Sequence, residues 1–364
     1  LSLFLFRIQN SNFLKITFDL IYERSRIIIL TLILIIPFSF TLYIVNLDRF
    51  KIFEKNIMNV ILKFNNFEKK NIDFVAKYGD SYHEVYSKVK GKYKNDCINN
   101  VNPFENCKFI SKGSKKNIIL TGGSIQSALG FSIKQSSAEM GYNYYQLTNS
   151  ACFYAPNFQL YFPATKKISN FCNKDFHEKT TKLILDLDNS ITVIGAHWSQ
   201  AFNFDCYQSV KFGMAKCNFP YKYISENNIS FKTSLKNSLL ELLNKGEKII
   251  LIYPLPEIGF NVIRQLKKNL YKDNHLDFTL PFDIYKNRTK EIYAVLDSIE
   301  HDNIFRIYPH ELFCNNIVSD KCVVKDKDKI FFSDSIHPSL EGSRMINNLI
   351  VKKIQEIESI SDMQ

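Results

Sequence analysis

At 364 residues the chain can bury one sizeable core, with room left for an anchor or a small extra unit. Its composition, 45% hydrophobic and 23% charged, is globular and excludes wholesale disorder. The formal net charge of +11 is spread along the chain among Asn, Ile and Phe, with no zinc-finger, RNP or homeodomain pattern, so no nucleic-acid partner is expected. Attraction to anionic lipid or an acidic polysaccharide fits that charge, and so does a generally lysine-rich composition.

The chain opens on LSLFLF without an initiator Met, which reads as the tail of a longer apolar segment, so a fragment of a longer protein is expected. Residues 27–45 (IIILTLILIIPFSFTLYIV) are uncharged throughout. At 1.5 Å per residue they span about 28 Å, close to a hydrocarbon core of roughly 30 Å, which predicts one transmembrane helix. Pro37 is compatible with a membrane helix. A cleavable signal fits less well, because the run is too long and no small-residue cleavage site follows. Arg24 and Arg26 precede the span while Arg49, Lys51 and Lys55 follow it, so charge bias leaves the orientation open. Residues 46–114 are polar, Lys-rich and partly helical in pattern, and read as a linker or accessory helical region.

Eight cysteines fall into four neighbouring pairs: Cys97/Cys107, Cys152/Cys172, Cys206/Cys217 and Cys314/Cys322. None makes a C-x-x-C, and no Cys/His grouping has zinc-ligand spacing, so no metal is expected. An even number at short separations reads as disulfides stapling loops; eight reduced, buried cysteines of a cytosolic protein is the competing reading. The expected span favours the oxidised one and puts residues 46–364 on the oxidising side.

From residue 115 short apolar runs alternate with longer amphipathic ones. Strands are predicted at Asn117–Leu120, Tyr144–Leu147, Ile191–Gly195, Lys248–Tyr253 and Asn303–Ile307. Helices are predicted around 125–139, 176–186, 231–245, 283–299 and 338–357. Strands separated by helices imply right-handed crossovers and an α/β fold whose parallel sheet is covered on both faces. Functional residues of such folds gather at the carboxyl ends of the strands. Residues 200–229 are long and irregular and read as an insertion over that end.

Two stretches carry chemistry. The first strand ends in Thr121-Gly122-Gly123-Ser124, and a helix follows at once. The glycines permit a tight turn and display Ser124 at a helix N-terminus, where backbone N–H groups and the dipole favour an oxyanion. Read alone, GGS is also a plain turn with Ser124 as N-cap. Near the C-terminus, FFSDSIHPSLEGSRMI sets Asp334 three residues before His337, with Pro338 at an expected first helical turn. A carboxylate so placed accepts from the ring Nδ1–H, fixes the tautomer and stabilises the imidazolium. Read alone, Asp334 is equally a cap for the last helix.

Taken together, a serine after the first strand and D-x-x-H before the last helix resemble the SGNH hydrolase superfamily, the GDSL-like esterases. The resemblance implies a three-layer α/β/α sandwich with a flavodoxin-like sheet and a triad of Ser124, His337 and Asp334. Gly195-Ala196-His197-Trp198 sits where that superfamily has G-x-N-D. A narrower resemblance starts at Tyr22-Glu23-Arg24-Ser25-Arg26, which looks like the passage near the end of the membrane domain in acyltransferase family 3. Members with a fused SGNH domain show W-S after the third strand, here Trp198-Ser199, and Pro-Glu after the fourth, here Pro256-Glu257. They also show a cysteine near a proline after the second strand (Cys152, Pro156) and a Cys pair before D-x-x-H (Cys314, Cys322). The resemblance implies the end of a membrane acyltransferase domain at 1–26, the span at 27–45, a periplasmic linker at 46–114 and an SGNH-like domain at 115–364. It further implies acyl transfer, in the first place of acetyl, to or from hydroxyls of a bacterial cell-envelope glycan. The acyl donor would arrive through the membrane acyltransferase domain, in the lipid bilayer of the inner membrane.

The sequence departs from the family in three places. The first block is Gly122-Gly123-Ser124-Ile125 rather than G-D-S-H; Asn149-Ser150-Ala151 replaces a glycine after the second strand; and His197 replaces the third-block asparagine. The oxyanion candidates are therefore the N–H groups of Ser124 and Ala151 and the ring of His197, which fits a core or surface role equally well. Trp198 and Ser199 are substrate-binding candidates, and no cofactor is expected. A non-catalytic glycan-binding or scaffolding domain on the same fold is the alternative, motivated by the altered first block.

Overall fold

The structure is a computed structural model that describes residues 56–63, 65–66, 69–70, 72–78, 97–204, 206–207, 219–225, 228–270 and 278–362. The chain divides into two units, Leu1–Asp73 and Phe74–Gln364. In the first, the described residues are helical. The expected acyltransferase end at 1–26 and the expected span at 27–45 lie outside the described residues. Among those described, no helix is long and apolar enough to cross a membrane.

The second unit is built on a six-stranded sheet. Its strands are β1 (Lys108–Phe109), β2 (Asn117–Gly122), β3 (Asn143–Thr148), β4 (Ser190–Gly195), β5 (Lys248–Ile252) and β6 (Ile304–Ile307). Its main helices are α1 (Ser124–Glu139), α2 (Lys174–Asp186), α3 (Trp198–Asn203), α4 (Phe231–Asn244), α5 (Val262–Asn269), α6 (Phe282–Asp297) and α7 (Leu340–Asp362). Across the sheet the order is β1-β3-β2-β4-β5-β6. β1 runs antiparallel to β3, and all other pairs are parallel. The five parallel strands thus follow the flavodoxin-like order, with β2 at the point where the chain reverses direction across the sheet.

The alternation along each strand explains the layers. Ile118 and Leu120 of β2, Val193 of β4 and Ile250 and Ile252 of β5 pack with α1, α5 and α7. Ile119, Ile194, Ile249 and Leu251 point to the opposite face, against α2, α4 and α6. Strands buried on both faces read as continuous apolar runs, and NIIL, ITVIG and KIILI are such runs. Each fully buried Ile or Leu contributes roughly 1.5–3 kcal/mol, so these two faces dominate the fold's stability.

The chain enters this core before the expected start of the domain: Phe74 and Tyr78 are buried in the α1/α7 face. Cys97 is then joined to Cys107, just ahead of edge strand β1. Cys152–Cys172 and Cys314–Cys322 are also bonded, as their spacing suggested. Cys206 is disulfide-bonded as well, while its expected partner Cys217 lies outside the described residues. The described end of the expected insertion is not irregular. Lys222–Ser225 forms a strand that pairs antiparallel with Phe158–Phe162, which in turn pairs with Lys167–Ile168.

The last helix begins two residues later than predicted. Ser339 caps it, its Oγ accepting from the Gly342 N–H at 3.0 Å, so Pro338 lies just outside the helix. α7 packs along α1 through buried polar pairs: Ser132 Oγ with Ser343 Oγ at 3.0 Å, and Ser136 Oγ donating to Asn347 Oδ1 at 3.1 Å. At about 1 kcal/mol net each, such bonds add little stability. Being buried, they do fix the register between the helix that carries Ser124 and the helix that follows His337.

Candidate active site

Ser124 is the first residue of α1, directly after β2. The strand runs two residues further than predicted, so Gly122 is itself in register with Thr148 of β3 and Gly195 of β4. It has a φ of +139°, a conformation that suits glycine. The buried Gln126 lies under this junction. With its amide oriented to satisfy both neighbours, it donates to Gly195 O at 3.0 Å and accepts from Ala196 N–H at 3.3 Å. Gly123 is the N-cap of α1 and offers no side-chain cap. By contrast Asn173, Ser230 and Asn261 cap α2, α4 and α5 with their own side chains. The leading amides of α1 therefore face the site without a competing side-chain acceptor.

From the other end of the chain, Asp334 folds the 334–337 turn around its own carboxylate. Oδ1 accepts from the N–H groups of Ile336 at 2.9 Å and His337 at 2.8 Å. The His337 Nδ1–H donates to Oδ2 at 2.7 Å, and Nε2 accepts from the Ser124 hydroxyl at 2.8 Å. The His337 carbonyl in turn accepts from the Ser333 N–H at 2.9 Å. Burial alone would raise the Asp334 carboxyl. The His337 ring and the two backbone N–H donors outweigh it and hold the pKa at about 2, so this group is an anion at neutral pH. Ser124 and the Asp334–His337 pair, 213 residues apart in sequence from Ser124 to His337, thus form one hydrogen-bonded line.

The other site candidates flank β2. After β3, the Asn149 N–H donates to Gly122 O at 3.1 Å, and Ala151 sits in the left-handed region at φ 54°. The Ala151 carbonyl accepts from the Tyr223 hydroxyl at 2.8 Å, which ties this turn to the strand at Lys222–Ser225. After β4, His197 is the N-cap of α3, and its Nε2 lies 3.1 Å from Glu257 Oε1. Trp198 is buried, donating its indole N–H to Ile252 O at 2.9 Å, which makes it a strut between β5 and α3. Ser199 is also buried. A cavity is lined by Ile125 of α1 and Ile336, the chain neighbours of Ser124 and His337, and by His197, Ser199 and Glu257. Ser124, Ala151 and His197 thus come from the three loops around the sheet's switch point, where ligands of open α/β sheets bind.

Glu257 entered the sequence reading only as part of the Pro256-Glu257 motif of the resemblance, without a role of its own. Beside that motif, its signal was a carboxylate inside the otherwise apolar LIYPLPEIGF. Its partners are His197 at the start of α3, Arg288 of α6 and Tyr207 of the expected 200–229 insertion, none of them near it in sequence. Among the described residues, Cys152, Cys172 and His177 are close enough together for metal ligands, but both thiols are consumed in one disulfide.

A search of curated proteins gave no match. Among solved structures, the chain resembles the periplasmic domain of a lipopolysaccharide acetyltransferase from Salmonella ser. Paratyphi A, at 17% identity and a TM-score of 0.47. That alignment covers 77% of this chain and 98% of the other. It also resembles a GDSL-like lipase from Bacteroides thetaiotaomicron VPI-5482, at 13% identity and a TM-score of 0.36, covering 67% of this chain and 89% of the other. Neither likeness is close enough to carry a functional argument. The family model "SGNH domain (fused to AT3 domains)" matches residues 92–352, most of the chain. The chain therefore belongs to the SGNH domains that are fused to AT3 acyltransferase domains.

Proposed function

We propose that this domain moves an acyl group, in the first place acetyl, to or from a hydroxyl of a bacterial cell-envelope glycan, with Ser124 as nucleophile. The observation that carries the reading is the unbroken line from Ser124 Oγ through His337 to Asp334. Ser124 attacks the acyl carbonyl as His337 Nε2 takes its proton; the imidazolium, stabilised by Asp334, returns that proton to the leaving alcohol. The acyl-serine is then resolved by a sugar hydroxyl or by water, with His337 again as base. The N–H groups of Ser124, at the side-chain-free start of α1, and of Ala151 are assigned to the oxyanion. Membership of a family fused to membrane acyltransferase domains supports an acyl donor arriving from the bilayer. The site needs no cofactor for these steps.

The test is hydrolysis of a small acetyl ester by the purified chain. Ser124→Ala and His337→Ala should each lower kcat by about 10³-fold or more, and Asp334→Asn should lower it less. Equal activity in the wild type and all three variants would remove the triad and leave a glycan-binding or scaffolding domain.

A further inference from the structure

A second carboxylate–imidazole pair lines the same cavity as Ile125, the chain neighbour of Ser124, and the mechanism above leaves it unused. His197 and Glu257 are each only 8% exposed. Nε2 of His197 is 3.1 Å from Oε1 of Glu257. The other carboxylate oxygen accepts from Arg288 Nη2 at 3.1 Å and from the Tyr207 N–H at 2.6 Å. Burial alone would raise the Glu257 carboxyl, yet the His197 ring, Arg288 and Ser199 bring it down to about 2. It is therefore a fixed anion, held from three sides.

That anion decides the tautomer. A ring nitrogen 3.1 Å from a carboxylate oxygen has to carry a proton, because two lone pairs would repel there. Nε2 is sealed from solvent and makes no aligned hydrogen bond, so the charge of Glu257 is what compensates it. In the neutral ring Nδ1 is then an acceptor. It can receive a hydroxyl, and His197 lines the cavity that also touches Ile125 and Ile336, the neighbours of Ser124 and His337.

We propose that His197, positioned by Glu257, accepts a hydrogen bond from a second hydroxyl of the acyl acceptor and so seats polyhydric alcohols, sugars above all, for attack on acyl-Ser124. The inference rests on the acyl-serine reading above. In the transfer step the attacking hydroxyl oxygen bonds to the acyl carbon and its proton passes to His337 Nε2. The bond from that carbon to Ser124 Oγ then breaks, and Oγ takes the proton back. His197 exchanges no proton; it orients the acceptor.

The experiment measures partition of the acyl group from a chromogenic acetyl ester between methanol and a methyl glycoside. Wild type should favour the glycoside. Glu257→Gln and His197→Phe should each lower the glycoside-to-methanol ratio at least tenfold, and the double variant should fall no further than either single one. An unchanged ratio, or losses that multiply in the double variant, overturns the proposal. Should Glu257→Gln fail to fold, the ¹⁵N shifts of the His197 ring in the wild-type chain decide: protonation at Nε2 with Nδ1 bare is expected, and the reverse overturns it. A wild-type chain that never forms acyl-Ser124 would count against the triad instead, and the ring measurement would still test the tautomer.

Discussion

Two adjacent glycines before Ser124 have different duties. Gly122 has a φ of +139°, and a Cβ there would collide with the Gly195 carbonyl and the Gln126 side chain. Gly123 has a φ of −84°, and a Cβ on it would meet only Cys152 O at 3.7 Å and the Phe153 ring at 3.9 Å. Gly122→Ala should therefore cost about 1–3 kcal/mol and reduce esterase activity, through the left-handed strain and the displaced β2–β4 junction. Gly123→Asp, which restores the residue usual in the wider superfamily, should fold with a denaturation midpoint close to wild type. Chemical denaturation of the two variants checks this, and the opposite ranking would mean that the turn has been misread. The departure at Gly123 thus leaves the loop geometrically intact. Ser124, Asp334 and His337 were legible because each lies in a short local pattern. Glu257 was visible only as half of a Pro-Glu motif; its pairing with His197 and Arg288 was not, because that comes from the adjacency of β4 and β5 and from α6.

At the scale of elements, the segment that delivers Asp334 and His337 is held from behind by Cys314–Cys322. Lys321–Val323 pairs antiparallel with Thr279–Pro281. The Phe331 N–H then donates to Val324 O at 2.8 Å, closing the short hairpin that leads into the site. Opening a loop this short should cost about 2–3 kcal/mol through the freed unfolded chain. Its larger effect falls on position: once the staple is cut, the 331–337 turn keeps the buried Phe331 and Phe332 and the Ile258 N–H on Ser335 O at 2.8 Å, but loses the covalent tie behind them. Cys314→Ser is expected to lower kcat by a larger factor than loss of Cys97–Cys107, while shifting the melting temperature no more. Comparable kcat in the two variants would separate the staple from catalysis. The five parallel strands of the sheet were read to within two residues, because double burial writes them as apolar runs; the two-residue antiparallel edge strand β1, half exposed, was not read. The start of α7 was not: Pro338 is compatible with a first turn, and the Ser339 cap that excludes it depends on contacts with Ile330, Phe331 and Gly342. Strand Lys222–Ser225 was missed for a related reason, since its partner is the distant Phe158–Phe162.

For the whole molecule, the prediction concerns the compartment in which the domain folds. Phe74 and Tyr78, whose rings lie 4.6 Å apart, anchor the chain in the core, an attachment hidden in the sequence because two aromatics four apart among lysines read as an ordinary amphipathic helix. Upstream, basic residues flank the uncharged 27–45 stretch on both sides, so charge bias does not orient it. The cysteines do. Among the described residues no cysteine is free, and the bonded pairs staple the N-terminal edge, the β3 turn and the approach to His337. Buried disulfides distributed in this way form and persist in an oxidising compartment; in the cytosol the same thiols would be kept reduced. An envelope glycan as acceptor asks for the same location. We therefore expect the C-terminus outside the inner membrane of a bacterial host. Fused there, alkaline phosphatase should be active and an ordinary green fluorescent protein dark, and non-reducing peptide maps of the same material should show Cys314 joined to Cys322. A bright fluorescent fusion with free thiols at Cys314 and Cys322 would place the domain in the cytosol and overturn the envelope acceptor along with the topology.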